Sequence, residues 1–158
     1  AHHTYIDQAI RARDGQAPEA LFVAYDPGEM PIDAGDLLCS GLRPVYRNLD
    51  QRRKQLGEGA RTHCDIVMAV NEDEGTLVTV GGNVRASVRM KIFPADRQNA
   101  QFAPLTTNRI IFAHLKLRAP VPDADALRHS PALNNYICQA PGSSGFMAVF
   151  PTQLIGVC

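Results

Sequence analysis

Apolar residues at the start of the chain recur at helical spacing. Ala1, Tyr5, Ile6, Ala9 and Ile10 share one stripe, and Asp14-Gly15 supplies a stop. The pattern predicts an opening helix with one apolar face. Residues 15–35 are punctuated by proline and glycine around a short apolar run at 21–25. The turn Asp33-Ala34-Gly35-Asp36 then launches a brief strand over residues 37–40. Residues 41–61 are polar and charged and read as a long loop, with the basic triplet Arg52-Arg53-Lys54 solvated inside it.

The clearest element is a hairpin. Residues 63–70 are rich in β-formers, residues 71–75 make an acidic turn, and residues 76–80 alternate as a half-buried strand does. Gly81-Gly82-Asn83 interrupts the pattern, which resumes over residues 84–92. A glycine pair inside a strand pattern marks a bulge or a close backbone approach. A loop bearing Pro94 and Pro104 follows, then a strand over residues 109–117. A short helix at about 123–137 and a final strand at 146–150 close the chain. The pattern predicts an α+β domain spanning residues 1–158, with a mainly antiparallel sheet. An opening helix with neither an initiator methionine nor a capping box predicts that the sequence is the C-terminal piece of a longer domain.

Composition removes several function classes. Lys and Arg total 16 and Asp and Glu total 16, so no net field draws nucleic acid or an anionic membrane. No apolar run approaches the roughly 20 residues of a membrane span. The four cysteines, Cys39, Cys64, Cys138 and Cys158, allow three full pairings. A Cys39–Cys64 or a Cys138–Cys158 bridge fits an oxidising compartment such as the periplasm; buried reduced thiols fit the sequence equally well. No CxxC or HxxxH spacing is present, so no metal site and no cofactor is expected, even with His2, His3, His63, His114 and His129 available. His114 alternates with Ile110 and Phe112 and reads as a satisfied core histidine. Ser143-Ser144 lacks the strand-turn-helix context of a nucleophile elbow.

His63 stands where a polar loop becomes an apolar strand, a position from which an imidazole can accept a proton near neutral pH. With the hairpin turn centred near Glu72 and Asp73, residue 63 falls opposite 82 or 83. Asn83 is thereby placed to accept the second ring N–H and fix the tautomer, as in Cys-His-Asn arrangements. The alternative is that Gly81-Gly82-Asn83 is a bulged turn, since asparagine tolerates left-handed backbone angles. Arg85 and Arg89 flank Ser87 beside this position, where they suit the carboxylates of a peptide.

Gly35-Asp36-Leu37, then His63 opening a strand with Asp65-Ile66-Val67, then Gly82-Asn83-Val84 and Ser87-Val88, resembles the NlpC-type and CHAP-type papain-like hydrolases of bacterial cell walls. The likeness is greatest to a family of uncharacterised bacterial domains in that superfamily and covers roughly the first 90 residues. It implies a papain-like fold and an exported or periplasmic amidase or endopeptidase acting on peptidoglycan stem peptides, as a lytic enzyme or an effector. By the same resemblance His63 is the general base, Asn83 its orienting residue, Asp36 a turn-former, and His2 a residue near the cleft. His2, Arg85 and Ser87 are then the substrate contacts.

The sequence departs from that pattern at the nucleophile. No cysteine precedes Cys39, Cys39 lies in a strand, Cys64 faces away from His63, and Cys138 lacks a helix start. The resemblance therefore implies a nucleophile upstream of this chain, or one that this branch has replaced. The competing expectation is an inactive papain-like module that binds cell-wall peptide, an inhibitor or immunity protein, or its own missing N-terminal segment along the apolar face of the opening helix.

Overall fold

The computed structural model describes residues 2–83, 86–98, 100–105 and 109–120. The elements expected at 123–137 and 146–150 lie outside these, as do Arg85, His129, Cys138, Ser143, Ser144 and Cys158. Helix α1 (His2–Arg13) follows the apolar stripe and buries Ile6, Ala9 and Ile10. It ends where Gly15, at φ +75°, turns the backbone so that Gln16 N–H reaches Arg11 O at 2.8 Å. The apolar face of this helix is thus covered within the chain; among the described residues of the stripe, Tyr5 alone is exposed.

Among the described residues seven strands follow: β1 (Phe22–Tyr25), β2 (Leu37–Arg43), β3 (Arg61–Asn71), β4 (Thr76–Gly81), β5 (Arg89–Gln98), β6 (Gln101–Pro104) and β7 (Ile111–Leu117). They form one sheet in the order β1-β7-β2-β3-β4-β5-β6, antiparallel at every pairing. The α+β class and the antiparallel sheet agree with the sequence pattern. Alternation separates the two larger of the three core clusters. Cys39 and Cys64 join Ile6, Ile10, Phe112 and Leu115 under the helices. Leu38, Val67, Leu77, Phe93 and Phe102 form a second cluster.

The loop expected at 41–61 contains a helix, α2 (Leu49–Arg53), capped by Asn48, whose side chain accepts from Gln51 N. Arg52 is fully buried, not solvated. Its guanidinium grips Asp7 of α1 through Nε and Nη2, both at 2.7 Å, and donates to Tyr46 Oη and Glu58 O. Burial opposes the charge, but the Asp7 and Tyr46 hydrogen bonds outweigh it and hold the guanidinium pKa above its ordinary value. The two prolines expected in a loop sit in strands. Pro94 pairs with Thr76, the first residue of β4, and Pro104 ends β6, so neither deprives a ladder interior of an N–H.

Candidate functional site

Two residues apart on β3, His63 and Asp65 project from the same face. His63 Nε2 lies 2.8 Å from Asp65 Oδ1, and the Asp65 carboxylate is buried. Lys91 enters from β5. Its register partner is Thr79, itself paired with Val67, so lysine, threonine, valine and aspartate share one face. Lys91 Nζ donates to Asp65 Oδ1 and Oδ2, each at 2.7 Å. The lysine and the imidazole therefore share Oδ1. Their 3.5 Å separation is an approach of two donors to one acceptor.

Gly81, the last residue of β4, makes this possible. A Cβ there would lie 1.9 Å from Asp65 Oδ1 and 2.8 Å from His63 Nε2, so any side chain would expel the carboxylate.

The other side of the ring is occupied by His2 from α1, stacked with its centroid 5.2 Å away and its plane tilted by 22°. Cys64 N–H, beyond the last β3–β4 pair at Ile66–Val80, donates to His2 Nδ1 at 2.7 Å. Burial, and next the neighbouring His63 ring, push the His2 pKa below its ordinary value. The neutral ring that results is the form in which Nδ1 can accept. On β2, Ser40 pairs with His63 and donates its hydroxyl to the His63 carbonyl, at 3.4 Å. Next to that pair, Cys39 and Cys64 are joined by a disulfide with an S–S distance of 2.04 Å and Cα atoms 4.0 Å apart. Of the pairings the sequence leaves open, this is the one formed among the described residues.

The sequence profile of a family described as "Uncharacterized protein conserved in bacteria (DUF2272)" matches residues 1–115. The chain belongs to the DUF2272 family. No curated protein and no solved structure matches the chain. In this DUF2272 domain the matched stretch holds the whole cluster of His2, His63, Asp65, Gly81 and Lys91. No helix among the described residues is long and apolar enough to cross a membrane.

The residues expected at the DUF2272 site are placed unevenly. His63 and His2 come together. Asn83 is exposed at φ +56°, in the turn after β4, and among the described residues makes no hydrogen bond to the His63 ring. The partner on Nε2 is Asp65 instead, because β4 ends at Gly81 before the ladder can bring residue 83 opposite residue 63. Ser87 is exposed and its Oγ accepts from Arg89 Nε at 3.0 Å. A histidine and an aspartate two residues apart in a predicted strand already share a face, so Asp65 was readable. Lys91 depends on the β4–β5 register and carried no sequence signal.

Asp36 of the Gly-Asp-Leu segment does structural work elsewhere. It is buried and accepts from His114 Nε2 at 2.8 Å, Leu117 N at 2.9 Å, Asp33 N at 2.9 Å and Lys116 Nζ at 3.1 Å. Burial pushes its pKa up, but the hydrogen bonds from His114, Leu117 and Asp33 outweigh that and leave it below the ordinary carboxylate range. His114 is fully buried in the core, as its strand pattern predicts, with Nδ1 unpartnered among the described residues.

Proposed function

We propose that this domain is a papain-like hydrolase module, related to the NlpC and CHAP types, that cleaves peptide or amide bonds of peptidoglycan outside the bacterial cytoplasm. The observation that carries the reading is the state of the His63 ring. Its Nε2 is committed to a buried carboxylate, and no described residue hydrogen-bonds Nδ1. A ring so held has one tautomer and one free basic nitrogen, the arrangement a general base needs. His63 Nδ1 takes the proton of the nucleophile, and Asp65 stabilises the imidazolium that forms. Asp65 thus fills the role the spacing gave to Asn83. A cysteine nucleophile comes from outside the described residues, because Cys39 and Cys64 are consumed in their disulfide. That disulfide also supports an oxidising location.

The test is digestion of purified peptidoglycan by the intact protein and by His63→Ala. The native protein is expected to release muropeptides, and the variant to release them about 10²- to 10⁴-fold more slowly. Equal release by both overturns the reading. One observation favours a second reading, a non-catalytic module that binds stem peptide. The hydroxyl nearest in register, Ser40, bonds the His63 carbonyl rather than its ring. Co-sedimentation with peptidoglycan without release, equal in both proteins, identifies that case.

A further inference from the structure

We infer that Lys91 is a positioning residue that tunes His63 through Asp65; this rests on the reading of His63 as a base. A lone aspartate beside an imidazole does two things. It orients the ring, and its charge stabilises the protonated form. Lys91 separates these effects. With both carboxylate oxygens at 2.7 Å from Nζ, Asp65 is held in one orientation while its charge is countered from within the cluster. The ammonium also stands 3.5 Å from Nε2, where it directly opposes a positive ring. Asp65 therefore gives His63 its tautomer and direction, while Lys91 counters its charge.

The groups around the ring are few. Among the described residues, the titratable or charged groups recorded against it are Asp65 from β3, Lys91 from β5 and His2 from α1, and Arg89 of β5, paired with Gly81, lies on the same sheet face as Lys91. Ser40 of β2 and Gly81 of β4 bring no charge. The lysine is largely covered, with 21% of its side chain exposed, so solvent screens it only in part.

The experiment is an NMR pH titration of the His63 ring in the intact protein, with the resonance assigned by its loss in His63→Gln. Lys91→Met is expected to raise the midpoint by about one pH unit and Asp65→Asn to lower it by about as much. Lys91→Arg, which keeps charge and donors, is expected to restore the native midpoint. An unchanged midpoint in Lys91→Met overturns the inference. If that variant does not fold, Lys91→Gln, which also removes the charge, takes its place. A raised midpoint there supports the inference, and an unchanged one overturns it. The titration needs no substrate, so it is independent of the proposed reaction. If the midpoint moves while the acid limb of kcat/KM for peptidoglycan digestion stays fixed, Lys91 tunes the ring but His63 is not the base.

Discussion

Gly81 shows how little space the cluster has to spare. The residue does not need an unusual backbone angle; it needs the absence of a side chain 1.9 Å from Asp65 Oδ1. Gly81→Ala is therefore expected to displace the carboxylate and lower stability by about 1–3 kcal/mol, measured by urea unfolding. His2 carries a second prediction at this scale. Its folded-state pKa lies below the ordinary value of 6.5, so the unfolded chain binds the proton more tightly. The contact is intact above that value and is lost as pH falls below it, when a protonated Nδ1 can no longer accept from Cys64 N–H. His2→Phe, which keeps the stacked ring but not the titration, is expected to flatten stability between pH 7 and pH 5, measured by urea titrations at the two values. Such pairwise contacts explain what the sequence hid. Asp65 could be found from the period of a strand, whereas Lys91 and Gly81 become neighbours of His63 only through a register that no local pattern encodes.

Helix α2 is an element whose purpose lies in one side chain. A run of Arg52, Arg53 and Lys54 looks solvated in sequence, and Arg53 does behave that way, pairing with Asp14 and Asp50 near the surface. Arg52 is different because Asp7, Tyr46 and the Glu58 carbonyl answer its donors. Asp7 also accepts from Gly57 N–H at 2.9 Å, so one carboxylate fastens α1 to both α2 and the chain that follows it. Arg52→Met leaves that carboxylate buried and unpaired, and is expected to cost about 3–5 kcal/mol in chemical denaturation. Local periodicity found α1, the central hairpin and β7, whose apolar positions dominate their segments. It missed α2, too short and polar to show a stripe, and the β5–β6 hairpin, whose two prolines suggest a loop until their pairing positions are known.

For the whole molecule, the sheet divides the work. β7, β2 and β3 are neighbours in it, stapled by Cys39–Cys64 and tied at one end by Asp36 to His114 and Leu117 of β7. Asp36 has a folded pKa below the ordinary carboxylate value, so its contribution is complete above pH about 4 and disappears as pH falls below it. Asp36→Asn is expected to be less stable than the native protein at pH 7 and to lose less of what remains on acidification to pH 3, followed by thermal unfolding. Removing the staple with Cys39→Ser, Cys64→Ser is expected to cost about 2–4 kcal/mol, with the same loss produced by a dithiol reductant acting on the native protein.

The staple has a further consequence for how the chain can be broken. Because Cys39 and Cys64 are joined, residues 40–63 form a covalently closed loop that contains all of α2. A protease that cuts once within this loop opens the ring without separating the chain. Such a nicked protein migrates on a denaturing gel as one species until it is reduced, and as two fragments afterwards. A cut anywhere between α1 and β2 separates the α1-bearing segment from the rest under both conditions.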